Sequence, residues 1–228
     1  GLPHVLAQRW GQAGIDRFLV CSVATKVEQV GSINQFIAEK CRKYPQFVGL
    51  AAWHQDIADI QGEMDRLQSL GLRGIKLHPD FQRFQIDDPK MLPVYGEACR
   101  RGLPVLFHTG DSRMDFSSPR RLMAVLEKLP DFTCIAAHLG GYTEWDTARS
   151  ALRGANVYID TSSSLFMVPP EQAWESIAHF GVGRTMFGTD FPMWQPGEEL
   201  RRFFALGFSE EDNRAMLYGN FAKLFGLS

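Results

Sequence analysis

The chain has 228 residues, with 24 Lys plus Arg against 26 Asp plus Glu, 45% apolar residues and 22% charged ones. A formal charge of −2 gives no electrostatic case for nucleic acid or an anionic membrane as partner. The apolar runs are only a few residues long, far short of the roughly 20 that a membrane-spanning helix needs, and the opening GLPHVLAQRW lacks the basic-then-apolar pattern of a secretory signal.

A helical pattern covers Val5 to Ala13. Seven short apolar runs follow: Arg17–Val23, Phe47–Trp53, Gly74–Leu77, Pro104–Phe107, Phe132–Ala137, Asn156–Ile159 and Thr185–Phe187. Each is too short for a helix and several are β-branched or aromatic. They read as strands buried on both faces of a parallel sheet. Helical patterns lie between them. Ser32 is the expected N-cap of INQFIAEKCRKY. Asp56 to Leu70 places Ile57, Ile60, Met64, Leu67 and Leu70 on one stripe. Pro89 opens a helix that Gly102 closes, Ser118-Pro119 opens one ending at Pro130, and Pro169-Pro170 opens EQAWESIAHF, closed by Gly181.

This regular alternation has no sequence self-similarity, so it is the beat of βα units rather than a repeat array. It supports an α/β fold, either a (β/α)8 TIM barrel or an open doubly wound sheet. No GxGxxG or GKS loop follows a strand, which weakens a nucleotide-binding sheet. No Pro/Gly/Ser-rich spacer or charge block divides the chain, so 1–228 reads as a single barrel domain. Seven strands stand where a closed barrel needs eight. One more step of about 28 residues would place a first strand upstream of Gly1, so the barrel is expected to lack its first strand and to be N-terminally incomplete. Cys21, Cys41, Cys99 and Cys134 form no CxxC and are expected to be buried small residues in a reducing, cytoplasmic compartment.

Three histidines close consecutive strands: His78 in GIKLHP, His108 in VLFHTG and His138 in IAAHLGG. Asp190 closes the last strand in FGTDFP. Residues at the C-terminal ends of barrel strands converge on one mouth, where such barrels do their chemistry. Alternation places His108 on the face of Leu106, His138 on that of Ala136 and Cys134, and Asp190 on that of Gly188 and Met186. Lys76 and His78 both point into the barrel. A buried lysine is costly unless it pairs with a carboxylate such as Asp190 or Asp160, or is used chemically. Imidazole and carboxylate together suit zinc, manganese or iron.

GIKLHP, FHTG, AHLGG, FGTDFP and the terminal YGNFAKLFGL, taken in order, resemble the amidohydrolase-related family. The likeness is greatest to its second subgroup of TIM-barrel metal-dependent hydrolases, which includes aminocarboxymuconate-semialdehyde decarboxylase, and it runs from about Ala13 to the C-terminus. The resemblance implies that His108 is a metal ligand, that His138 is catalytic in a one-metal site, and that Asp190 binds metal and handles the proton of the nucleophilic water. It implies one divalent metal ion, zinc or alternatively manganese, rather than two bridged by a carboxylated Lys76. The family's first strand supplies an HxH or ExH ligand pair that this chain does not contain, matching the strand missing from the count. An incomplete N-terminus explains this departure; a degenerate, metal-free homologue is the alternative.

Arg113, just after His108, is a candidate clamp for a substrate carboxylate, with a surface pair to Asp111 or Asp115 as the plain alternative. Tyr142 and Trp194, with Leu165, Phe166, Met167 and Met193, fall near the expected mouth and could wall an aromatic or lactone substrate. His54 is expected either to line the mouth or to cap a turn. Phe203, Phe204, Phe208, Phe221 and Phe225 are expected to pack a terminal helix onto the barrel. The function expected first is hydrolysis of a small lactone, ester or amide through a metal-activated water. A non-oxidative decarboxylase of an unsaturated or aromatic acid is the alternative, and a non-catalytic homologue the third. The expected partner is a small-molecule substrate, without nucleic acid or membrane, and the resemblance suggests a homodimer.

Overall fold

The computed structural model describes residues 3–11 and 14–227. Helix α1 (Pro3–Gly11) covers most of the first predicted helix; Gln12 and Ala13, its expected end, lie outside the described residues. Strands β1 (Phe18–Val20) and β2 (Phe47–Gly49) pair in parallel. A second parallel sheet holds β3 (Ala51–Ala52), β4 (Ile75–Leu77), β5 (Val105–Phe107), β6 (Cys134–Ala136), β7 (Val157–Asp160) and β8 (Thr185–Met186) in chain order.

The predicted strand over Phe47 to Trp53 is one run split at Leu50. Leu50 N–H donates to Val20 O at 2.9 Å, and Ala51 N–H donates to Gly74 O at 2.8 Å. The run therefore hands its pairing from β1 to β4 and links the two sheets. Parallel strands in sequential order, with helices between them, are the arrangement of a (β/α)8 barrel. Among the described residues no ladder joins β1 to β8.

Register decides what faces where. Ile75, Val105, Cys134 and Val157 form one row, and Leu77, Phe107, Ala136 and Ile159 another. Both rows pack outward in the largest core cluster, against Met64 and Leu67, Val94 and Tyr95, Leu122 and Val125, and Ile177. The row between them runs Lys76, Leu106, Ile135, Tyr158. Leu106, Ile135 and Tyr158 pack inward with Val48, Leu50, Met186 and Phe225. The strands are thus buried on both faces, and the helices each contribute one apolar stripe.

The covering helices are α2 (Val30–Lys43), α3 (Ile60–Ser69), α4 (Pro79–Gln82), α5 (Leu92–Arg100), α6 (Pro119–Lys128), α7 (Trp145–Ala151), α8 (Pro170–Phe180), α9 (Pro196–Phe204), α10 (Glu210–Arg214) and α11 (Asn220–Phe225). Ser32 does not cap α2. A short 3-10 turn over Val27–Gln29 starts the helix earlier, and Ser32 Oγ donates to Gln29 O from inside it. Asp59 caps α3, its carboxylate accepting from Gly62 N at 2.9 Å. Gly49 lets α2 approach the sheet: a Cβ there would lie 2.7 Å from Ile37 Cγ2.

Where β1 ends, Ala52 loses its strand partner on that side. The buried Asn34 amide takes its place, Oδ1 accepting from Ala52 N at 2.8 Å and Nδ2 donating to Ala52 O at 3.1 Å. Helix α11 lies at the N-terminal ends of the strands. Phe225 enters the inner cluster, and Arg73, just before β4, donates to Phe225 O at 3.3 Å. Phe203 is fully buried, as expected of the C-terminal aromatics, whereas Phe204 is half exposed. All four cysteines are free thiols, but only Cys134 is buried, Cys21 being exposed. No helix of the described residues is long and apolar enough to cross a membrane.

Candidate metal centre

The segment after β4 is HPDFQ. His78 is the N-cap of α4 and Pro79 its first residue, so the helix starts the moment the strand stops. Gln82, buried at the end of that turn, accepts from His78 N at 2.8 Å and donates to Ala24 O and Trp53 O at 2.8 and 2.6 Å. One amide side chain thereby ties the ends of β1, β3 and β4 together. It also aims Asp80 inward, where the carboxylate is buried.

Ligand atoms of His78, Asp80 and His108 lie within 4.8 Å of one another. The His78 and His108 rings stack at 3.9 Å, and Phe81 stacks on the outer face of His78 at 3.8 Å. Sequence reasoning missed Asp80. Its available signal was position, two residues after a strand-ending histidine and inside the first turn of a helix.

His138 reaches the same cluster by a different route from the one expected. Cys134 and Ala136 face outward, so strict alternation would turn His138 away from the mouth. The strand ends at Ala136, and left-handed backbone at His138 (φ 63°) and Leu139 (φ 55°) swings the ring inward. Such a conformation is costly for side chains other than glycine and is held here by surrounding bonds. Leu139 N–H donates to Asp160 O at 2.7 Å and His138 N–H to Asp160 Oδ1 at 3.2 Å. Gly110 (φ 77°) completes the fit. A Cβ there would lie 2.7 Å from backbone of Gly141 and Tyr142, so the HTG and HLGG loops touch.

These contacts fix the protons. His138 Nδ1 lies 2.9 Å from Ser162 O, and a carbonyl can only accept, so Nδ1 carries the hydrogen. Its Nε2 is then bare, 2.9 Å from His108 Nδ1, which must be the donor. His108 Nε2 is left with a free lone pair. It faces Asp80 Oδ2 at 3.7 Å, and Asp80 Oδ1 has no hydrogen-bond partner although buried. Two acceptors face each other beside an orphaned carboxylate oxygen. This donor set fits a divalent cation, which would satisfy all three atoms.

The electrostatics agree. Burial pushes His108 well below the ordinary imidazole value, and the neighbouring His138, His78 and Lys76 charges push the same way. Burial and Lys76 lower His78 to about 3. Burial also lowers His138, opposed by Asp160. Neutral imidazoles are the metal-binding form. Burial raises the Asp80 carboxyl, against the stabilising Ser117 hydroxyl that donates to Oδ2.

The other expected site residues fall around this cluster. Asp190 stands in left-handed backbone (φ 58°) at an exposed position, and its Oδ2 accepts from Ser163 Oγ at 2.7 Å. Its charge reaches His78 and His138, while the three side chains whose ligand atoms converge among the described residues are His78, Asp80 and His108. Trp194 Nε1 donates to the same Ser163 Oγ at 3.0 Å, and its ring stacks on Phe166 at 3.6 Å. Tyr142 lies 5.9 and 5.7 Å from the rings of His108 and His138.

Arg113 is not an open clamp. Its Nε and Nη2 bind Asp111 at 2.9 and 2.7 Å, and its side chain is 79% exposed. The expected pairing of Lys76 with Asp190 or Asp160 does not form. Asp160 instead accepts from Ser162 N at 2.9 Å and from Ser162 Oγ. His54 caps a turn, accepting from Asp56 N at 3.2 Å.

Residues 15–227 match the family model for the amidohydrolases. The chain belongs to the amidohydrolase family. Its fold recurs in a dihydroxybenzoic acid decarboxylase of Polaromonas sp. JS666, solved with manganese and 2-nitroresorcinol. That match has 18% identity and TM-score 0.79, covering 100% of this chain and 86% of that one. An uncharacterized TIM-barrel protein of Bordetella bronchiseptica matches at 24% identity and TM-score 0.81, over 98% and 82% of the two chains. A probable 2-pyrone-4,6-dicarboxylic acid hydrolase of Acinetobacter baumannii, solved with citric acid, matches at 16% identity and TM-score 0.75, over 98% and 88%. This is an amidohydrolase-family enzyme on a TIM-barrel fold, with a ligand set for a divalent metal ion.

Proposed function

We propose that the enzyme is a metal-dependent, non-oxidative decarboxylase of a small unsaturated or aromatic acid. The observation that carries metal dependence is the facing pair of acceptors, His108 Nε2 and Asp80 Oδ2 at 3.7 Å, beside an orphaned Asp80 oxygen. The family's range covers both cleavage chemistries, and the Polaromonas decarboxylase and Acinetobacter hydrolase share this fold. Decarboxylation is preferred over the hydrolysis expected first because several of the matched folds are decarboxylases of aromatic acids; the buried Lys76 suits an acid in either reaction.

His78, Asp80 and His108 would hold one divalent ion, which supplies Lewis acidity to a substrate oxygen. The mixed nitrogen and oxygen set suits zinc or manganese. His138 holds His108 in the tautomer that frees Nε2. Asp190, held by Ser163 but open to solvent, relays a proton to the carbon that loses carbon dioxide, so that the electron pair of the broken C–C bond is taken up there. Tyr142, Phe166 and Trp194 wall the acid and exclude water. Hydrolysis of a lactone remains the second reading, supported by the Acinetobacter fold match, with Asp190 taking a proton from water instead of giving one.

We also propose a homodimer and a cytoplasmic setting, which suits four free thiols. The test is carbon dioxide release from a panel of hydroxybenzoates by enzyme loaded with zinc or manganese, beside ring opening of 2-pyrone-4,6-dicarboxylate. The proposal expects metal-dependent carbon dioxide release. Lactone opening without it selects hydrolysis, and neither activity selects the non-catalytic homologue.

A further inference from the structure

Asp160 is the half-buried carboxylate at the end of β7, and the reaction above leaves it without a part. One of its oxygens, Oδ1, collects three donors. His138 N–H reaches it at 3.2 Å and Ser162 N–H at 2.9 Å, and the Ser162 hydroxyl donates to it as well. The Asp160 carbonyl accepts from Leu139 N–H at 2.7 Å. One residue of β7 therefore holds both left-handed residues, His138 and Leu139, that turn the imidazole toward the metal ligands.

The same carboxylate reaches the ring. A serine hydroxyl has a single hydrogen, and Asp160 takes that of Ser162. Ser162 Oγ is then left to accept from His138 Nδ1, 3.0 Å away, alongside Ser162 O at 2.9 Å. Without an acceptor at position 160 the hydroxyl is free to turn and donate to Nδ1. That would favour the imidazole hydrogen on Nε2, against His108, and move the His108 hydrogen onto the nitrogen that faces Asp80. We propose that Asp160 is a positioning residue that acts through His138: it fixes the orientation and the tautomer of that imidazole, and so keeps His108 Nε2 bare for the ion. The part it plays is that of an acceptor, which an amide oxygen can also fill. This rests on the reading of His78, Asp80 and His108 as metal ligands.

Two readouts test it without turnover: zinc affinity by competition with a chromophoric chelator, and ring-nitrogen NMR of the metal-free protein labelled with 15N-histidine, which reports the His138 tautomer. Asp160→Ala should weaken zinc binding about 10- to 100-fold and lose the Nδ1–H signature of His138. Asp160→Asn keeps an acceptor oxygen, so it should hold the signature and stay within about threefold of wild-type affinity. In a His138→Ala background, Asp160→Ala should weaken zinc by less than about threefold more, because the ring it acts through is gone. An Asp160→Ala variant that keeps the signature, or binds zinc within about threefold of the wild type, overturns the proposal. An Asp160→Asn variant as weak as Asp160→Ala makes the effect one of charge, and additive losses in the double variant bypass His138; either overturns it too. Asn34→Leu is the control for stability, and the proposal fails if that variant loses as much zinc affinity as Asp160→Ala. Should Asp160→Ala not fold, Ser162→Ala cuts only the link between carboxylate and ring: a loss of about threefold or more supports the proposal, and a smaller one overturns it. A wild type that takes up no zinc refutes the metal reading, and the ring signature of the metal-free protein still decides the part of Asp160.

Discussion

The proton chain through the centre makes a quantitative prediction for His138. Ser162 O fixes the His138 tautomer, and His138 Nε2 in turn accepts from His108 Nδ1 at 2.9 Å. His138→Ala removes one neutral hydrogen bond to a metal ligand, worth about 0.5–1.5 kcal/mol. It also frees His108 to rotate and to place its hydrogen on Nε2, the nitrogen that faces Asp80. Together these should weaken metal binding about 10- to 100-fold, the range seen when a partner behind a ligand is removed, or roughly 1.4–2.7 kcal/mol. The loss of stability should be smaller, because Ser162 O keeps the Ser164 hydroxyl at 3.0 Å. The assay is competition for zinc or manganese against a chromophoric chelator, beside a urea melt of the metal-free protein. A variant within twofold of wild-type affinity refutes the tautomer argument. A loss beyond 1,000-fold at unchanged stability would make His138 a direct ligand.

Three further outcomes follow from the structure. Asp80→Asn should empty the metal site, whereas Asp190→Asn should keep metal and fold but lose turnover by at least 100-fold; the reverse pattern in elemental analysis would return the ligand role to Asp190. In the metal-free protein His78 stays neutral down to about pH 3, while the unfolded chain takes up its proton near the ordinary imidazole value of about 6.5. The unfolded state therefore binds more protons across that window, and urea midpoints should fall as pH drops from about 6.5 toward 4; a midpoint flat over that range, or rising, refutes the burial of this imidazole. Asn34→Leu leaves the buried N–H and C=O of Ala52 without partners, which should cost about 2–4 kcal/mol in the urea midpoint, and a loss below about 0.5 kcal/mol would show that water or another group replaces the amide.

The strands were readable because a parallel sheet buried on both faces demands short apolar runs, and all seven runs became strands. The break at Leu50 was not readable: nothing in Phe47–Trp53 marks where pairing passes from β1 to β4. The histidines were found by position, since a polar residue closing an apolar run stands out. Asp80 was hidden because PDFQ, capped by His78, is a four-residue helix, too short to show periodicity. The orientation of His138 was hidden too, because period-two alternation assumes extended backbone and the left-handed turn at His138 and Leu139 breaks it. For Arg113 the sequence left a substrate clamp and a pair with Asp111 or Asp115 both open, and the structure shows the pair with Asp111.

Bound metal is the most direct test of this site. Elemental mass spectrometry of the purified 228-residue chain and of His108→Ala, each after equilibration with zinc or manganese and removal of loose ions, tests it in one experiment. The account predicts about one divalent ion per wild-type chain and close to none in the variant, at equal folded content. A wild-type chain that takes up no ion, or a variant that holds as much as the wild type, would contradict it.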